Sequence, residues 1–136
     1  MTVFVIDSSA MLRHIDNEAG ADRVEAIIQV WLRGGAVGQI SAVQWGEIAG
    51  ILRKRSGALE QERVLERLKQ IDLQIVPASA ERAVRAAELR IDRNISYADA
   101  FALELAMDSP EHVLVTADYD FKAVADLARI EFLPAK

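Results

Sequence analysis

The chain contains no cysteine. That absence excludes disulfides and thiolate metal sites, and it suits a reducing cytoplasm. Only two histidines are present, His14 and His112. Neither has other ligand types at zinc spacing, so both are read as surface or structural residues. No stretch suits a bilayer, because the longest uncharged segment, Gly34 to Gly46, is short and glycine-rich. Met1-Thr2-Val3-Phe4 lacks the basic start of a signal peptide. Repeats, low-complexity tracts and polar linkers are missing as well. The 136 residues are therefore expected to form one domain, 1–136, of a cytoplasmic protein with no membrane partner. Positive charge is also scarce: the net charge is −5. That deficit argues against nucleic acid as a partner, since phosphate binding normally rests on Lys and Arg. The argument reverses if the acids converge on one pocket, because a bound metal inverts the local field.

Hydrophobic residues make up 51% of the chain, enough for a sizeable core. Val3 to Ile6 is a continuous apolar run, the pattern of a strand buried on both faces. Ser8 or Ser9 can cap a short helix running to about His14. From Ala21 to Arg33, Val24, Ile27, Ile28 and Trp31 recur at helical spacing, and Gly34-Gly35 ends that helix. Val37 to Ile40 reads as a strand. Ser41-Ala42-Val43-Gln44 then reads as a capping box opening a helix to about Arg55. A separate helix is expected over Leu59 to Ile71, and a short strand over Leu73 to Val76. Ser79 starts a helix whose Ala83, Val84, Ala87 and Ile91 are expected to face the core. Ser96-Tyr97-Ala98-Asp99 opens a helix to Met107, apolar nearly all round and so expected to be buried. Val113 to Thr116 is the second clear buried strand, followed by a short helix from Phe121 to Leu127 and a last strand from Ile130 to Leu133. Such alternation implies an α/β domain with a mostly parallel central sheet flanked by helices. Ligands of such sheets bind at the carboxyl ends of the strands.

Four acids stand out by position: Asp7, Glu47, Asp99 and Asp118, with Asp120 as a fifth. Asp7 ends an apolar strand, Glu47 sits among uncharged neighbours, Asp99 begins the buried helix, and Asp118 follows the strand ending at Thr116. Carboxylates embedded in apolar sequence cost free energy unless they are paired or ligate metal. A hard cation such as Mg²⁺ or Mn²⁺ removes their mutual repulsion. Each acid also has a plainer reading. Asp99 can complete a capping box with Ser96, Asp118 can cap a turn, and Glu47 can be a half-exposed helix acid paired with Arg.

The four segments together resemble the PIN-domain ribonucleases of the VapC toxin family. The likeness runs through Val3-Phe4-Val5-Ile6-Asp7-Ser8-Ser9-Ala10 and Ser41-Ala42-Val43-Gln44-Trp45-Gly46-Glu47, then Ser96-Tyr97-Ala98-Asp99-Ala100 and Leu114-Val115-Thr116-Ala117-Asp118-Tyr119-Asp120-Phe121. The resemblance implies a PIN-like fold with Asp7, Glu47, Asp99 and Asp118 as the acidic quartet. It implies metal ligation by Asp7, Asp99 and Asp118, with Glu47 ligating a second ion or orienting water, Asp120 as a less constant acid, and a supporting hydroxyl at Thr116. It further implies a Mg²⁺-dependent endoribonuclease (Mn²⁺ being an alternative ion), an RNA substrate, a cognate antitoxin and a homodimer. Arg53, Lys54, Arg55 and Lys122 are candidates for phosphate contact, though an ordinary solvated helix end is the simpler reading. Met11, Leu12, Trp31, Ile51 and Leu52 are interface candidates that a monomer core would also explain.

Other classes fit less well. A receiver-like Mg²⁺-binding signalling domain resembles its relatives in an acid pair after the first strand and a lysine after a late strand. Here two serines follow Asp7, and no lysine directly follows Thr116. A dehalogenase-like phosphatase needs a second Asp at the place of Ser9. A catalytically inactive PIN-fold binding module would not require the full quartet.

Overall fold

Why the chain threads its sheet as it does follows from two strands with apolar residues on both sides. In a computed structural model describing residues 1–136, Val3–Ile6 forms β1 and His112–Thr116 forms β4. Val5 and Leu114 point to one face of the sheet, Ile6 and Val115 to the other, and all four are buried. The remaining elements are α1 (Ser8–Ile15), α2 (Ala21–Leu32), β2 (Val37–Ser41), α3 (Ala42–Lys69), β3 (Gln74–Val76), α4 (Ala80–Arg93), α5 (Tyr97–Ala106), a 3₁₀ turn (Tyr119–Val124) and β5 (Arg129–Phe132). The five strands pair in the order β3-β2-β1-β4-β5, all parallel. Chain progression reverses between β1 and β4, so the crevice beyond their carboxyl ends lies at the switch point of the sheet.

One core layer packs Ile6, Val24, Ile28, Trp31, Ile40 and Ile48 together between the sheet and helices α1 to α3. Trp31 donates its indole N–H to the Ile71 carbonyl at 2.6 Å, so both its ring and its polar handle are satisfied inside the protein. Its ring lies so close to Gly38 that a Cβ there would fall 2.4 Å from the indole, which is why β2 carries a glycine at that point. The second layer sets Val5, Leu103, Leu105, Leu114 and Phe121 on the opposite face. Helix α5 is buried from Ala100 to Ala106, as its all-round apolar sequence implies. Within it Glu104 is 3% exposed, and Arg82 and Arg85 of α4 both donate to its carboxylate at 2.9–3.0 Å.

One expectation, about α3, holds, and two others are corrected by packing. The two helices expected to about Arg55 and from Leu59 are both present within α3, parted at Gly57, whose φ of +84° and ψ of 178° break the helical path and which only glycine adopts without strain. On α4 it is Ala83, Ala86 and Leu89 that face α5, while Val84 is 60% and Ile91 77% exposed and Ala87 is exposed beside them. Two apolar stripes compete on that helix, and the buried Glu104 decides between them. Only this rotation brings Arg82 and Arg85 to the carboxylate, whose burial without a partner would be far costlier than exposing two aliphatic side chains. Finally, the segment after β4 is a 3₁₀ turn over Tyr119–Val124 rather than a helix from Phe121 to Leu127. Of the interface candidates, Met11, Trp31 and Leu52 are buried in the monomer, and Ile51 remains 40% exposed.

Candidate metal centre

Asp7 follows β1 directly and is 2% exposed. Its side chain, not that of Ser8 or Ser9, caps α1: Oδ1 accepts from the Ala10 N–H at 2.9 Å. Ser9 Oγ donates to the same oxygen at 2.8 Å, and Thr116 Oγ1, from the end of β4, donates to Oδ2 at 2.6 Å. These three donors hold one rotamer of the carboxylate. The two hydroxyls have further duties across the β1/β4 crevice. Ser9 Oγ accepts from the Ala117 N–H, and Thr116 Oγ1 accepts from the Asp118 N–H, each at 2.9 Å. Ser9 was expected only as a helix cap; its place two residues after an acid at a strand end was the signal for a supporting role.

Asp99 lies in the first turn of α5, half-buried, with its N–H capped by Ser96 Oγ at 3.1 Å. The Asp99 carboxylate makes no bond back to the Ser96 N–H; the Ser96 hydroxyl supports its ionised form, and the charges of Asp118, Glu47 and Asp120 act on it. Asp118 caps the 3₁₀ turn, its Oδ1 accepting from the Asp120 N–H at 2.9 Å. Glu47 is exposed on α3, where Ser8 Oγ donates to its Oε1 at 3.1 Å. Asp120 is exposed at the rim. No cation stands within ion-pair distance of any of these five acids, although arginines pair with acids elsewhere, as Arg55 does with Asp16 and Arg93 with Asp126.

The electrostatics follow from that arrangement. Burial pushes the Asp7 carboxyl up to about 6, against the lowering effect of its hydrogen bonds from Thr116, Ala10 and Ser9, and Asp99 adds repulsion. Burial likewise raises Asp99 to about 6, helped by the charges of Asp118, Glu47 and Asp120 and opposed by the Ser96 hydrogen bond. The structure thus brings the four sequence-predicted acids, with Asp120, into one field. The donor set consists of carboxylate oxygens, which suits a hard divalent ion. No three of the side chains converge closely enough to hold a metal ion as they stand. Unneutralised carboxylates repel one another, and an ion such as Mg²⁺ keeps several waters in any case, so an open arrangement is compatible with its binding.

A cleft of about 530 Å³ opens beside the centre; its lining includes Ser9, Asp118 and Arg13, with Arg55 paired to Asp16 and Lys136 to Glu18. Arg53, Lys54 and Lys122, the other expected phosphate contacts, are exposed but do not line it. His14 lies 3.7 Å from Glu25, and His112 hydrogen-bonds Ser109, so neither histidine joins the centre.

An α/β domain with a five-stranded parallel sheet and acids gathered at its switch point is the class that fold and site define. The PIN domain family matches residues 4–127, and the chain belongs to that family. PIN domains are in general divalent-metal-dependent nucleases. Solved structures share the fold. VapBC2 from Rickettsia felis, bound to a DNA fragment from its promoter, is 17% identical with a TM-score of 0.75, covering 98% of this chain and 100% of that one. DNA-bound VapBC from Salmonella typhimurium is 17% identical with a TM-score of 0.72, covering 97% and 98%. The Mycobacterium tuberculosis toxin VapC20, described as cleaving the sarcin–ricin loop, is 19% identical with a TM-score of 0.72, covering 96% and 99%. No curated protein matches the chain by sequence. The strand order also separates it from receiver domains, which thread their sheet 2-1-3-4-5. No helix is long and apolar enough to cross a membrane.

Proposed function

We propose that this PIN domain is a metal-dependent endoribonuclease, the toxin of a toxin–antitoxin pair, with Asp7, Glu47, Asp99 and Asp118 as its catalytic acids. The observation that carries the reading is the gathering of these carboxylates at the sheet's switch point with no cation of the protein to balance them. A divalent ion such as Mg²⁺ or Mn²⁺ held by these carboxylates would make a bound water more acidic and would offset charge on the phosphoryl oxygens. Asp7, locked by three donors, provides the fixed ligand; Asp99 and Asp118 approach from α5 and from the end of β4. Glu47 has one oxygen occupied by Ser8, and its other oxygen is available to orient water or accept its proton. Asp120 at the rim adds negative charge without being held in place. Of the basic side chains in the neighbouring cleft, Arg55 and Lys136 are paired with Asp16 and Glu18, which leaves Arg13 as the one to meet an RNA phosphate there.

The fold shared with VapC20 and with the VapBC complexes supports RNA as substrate and an antitoxin as partner. A basic antitoxin segment would complement the acidic centre. A homodimer suits the apolar stripe of Val84 and Ile91 that α4 leaves in solvent. A cytoplasmic location fits the cysteine-free composition.

The test is cleavage of a structured RNA by the purified chain. EDTA should abolish it and Mg²⁺ or Mn²⁺ restore it, and Asp99→Asn should lower the rate by roughly three orders of magnitude. Normal cleavage by Asp99→Asn in excess Mg²⁺ would reject the assignment.

A further inference from the structure

Gln44 is 1% exposed and lies outside the acidic set. As the fourth residue of Ser41-Ala42-Val43-Gln44 it was expected to turn back onto the backbone of Ser41. Instead Ser41 Oγ accepts from the Val43 N–H, and the Gln44 amide points the other way, into the space between three elements. There Gln44 Oε1 accepts from the Ser8 N–H at 2.6 Å, and its Nε2 donates to the Ala98 carbonyl at 2.7 Å.

Both contacts fall next to acids of the proposed centre. Ser8 directly follows Asp7 and opens α1; Ala98 directly precedes Asp99 in the first turn of α5. One buried amide therefore ties the backbone beside Asp7 to the backbone beside Asp99 across 54 residues of sequence on one side and 36 on the other. One turn further along α3, Glu47 accepts from the hydroxyl of the same Ser8. Gln44 and Glu47 thus grip Ser8 by its N–H and its hydroxyl together. A carboxamide is the side chain this position needs, because it must accept at one end and donate at the other. A carboxylate would face the Ala98 carbonyl with an oxygen, and an aliphatic side chain would leave the Ser8 N–H without a partner.

We propose that Gln44 is a positioning residue, whose amide bridge between Ser8 and Ala98 sets the spacing of the Asp7 and Asp99 carboxylates for a divalent ion. The inference rests on the metal-centre reading above. The bridge fixes the backbone beside one acid relative to the backbone beside the other, with or without a cation. Groups that orient ligands in this way typically govern metal affinity by about ten- to a hundred-fold.

The experiment titrates Mn²⁺ alone into the full chain, following free Mn²⁺ by electron paramagnetic resonance. Gln44→Met, which keeps the shape and removes the amide, should raise the Kd for Mn²⁺ about ten-fold at a temperature where circular dichroism matches the wild type. It should also lower kcat on an oligoribonucleotide without raising KM. Val64→Ala, a core truncation at the far end of α3, should lower Tm yet leave Mn²⁺ affinity unchanged. Should Gln44→Met not fold, Gln44→Asn, one methylene too short to reach both partners, takes its place with the same expected outcome. Mn²⁺ affinity within about two-fold of wild type in the folded Gln44 variant would overturn the positioning role while leaving the metal centre standing. A wild-type chain that binds no Mn²⁺ would overturn both.

Discussion

Replacing Asp7 by Asn should stabilise the metal-free protein while destroying its activity. Burial raises this carboxyl from 3.8 to about 6, so folding favours its protonated form. Below pH 3.8 the group is neutral in both states and contributes its full stability. That contribution is lost as pH rises towards 6, because the unfolded chain ionises freely while the folded chain must ionise a buried acid. The interval between 3.8 and about 6 corresponds to about 3 kcal/mol at neutral pH. Asparagine is neutral throughout. Its oxygen can accept from Ala10 and Ser9, its amide can donate to Thr116 Oγ1, and Asn is as good a helix cap as Asp. Allowing about 1 kcal/mol for exchanging carboxylate hydrogen bonds for amide ones, the variant should gain about 2 kcal/mol at pH 7.5. In a domain of this size that is a rise in Tm of roughly 8 °C. Melting curves in EDTA at pH 4 and pH 7.5 measure it: the gain should be present at the higher pH and nearly absent at the lower. Asp99 shifts in the same direction over the same window, with a smaller share because it is partly solvated. Mg²⁺ should reverse the ranking, since only the wild type gains binding free energy. Equal Tm differences at both pH values would refute the reasoning.

Thr116→Val removes the donor to Asp7 Oδ2 and the acceptor of the Asp118 N–H; it should cost about 2 kcal/mol in denaturant melts and reduce RNA cleavage about ten- to a hundred-fold. It should also push the Asp7 carboxyl further up, readable by carboxyl NMR titration of the apo protein. Arg82→Ala leaves the buried Glu104 with Arg85 alone and should destabilise the fold by about 3 kcal/mol, a loss that Glu104→Leu in the same chain should largely recover. Ile91→Asp, at a position 77% exposed, should change monomer stability by no more than about 0.5 kcal/mol yet shift sedimentation from dimer to monomer.

Much of the frame is visible in local pattern because burial on both faces leaves a continuous apolar run. Val3–Ile6 and Val113–Thr116 announce themselves as inner strands for that reason, and the acids that follow them fall at the carboxyl edge wherever the sheet is parallel. Ser41, Ser79 and Ser96 mark helix starts because a hydroxyl one residue before a helix has orphan N–H groups to satisfy. The face of α4 is not visible in this way. Its two apolar stripes are equivalent until Glu104, on another helix, requires Arg82 and Arg85.

From sequence alone come the inner strands, the serines that start α3, α4 and α5, and five candidate acids, since each is read from neighbours along the chain. Tertiary structure alone decides that Asp7 rather than a serine caps α1, that Thr116 reaches it across 109 residues, and that Gln44 leaves its own helix start to join two others. The physical reason is that burial and hydrogen-bond partnership are properties of a place in space. A carboxyl's ionisation, and hence its capacity to hold a cation, is set by whatever distant segments the fold packs around it.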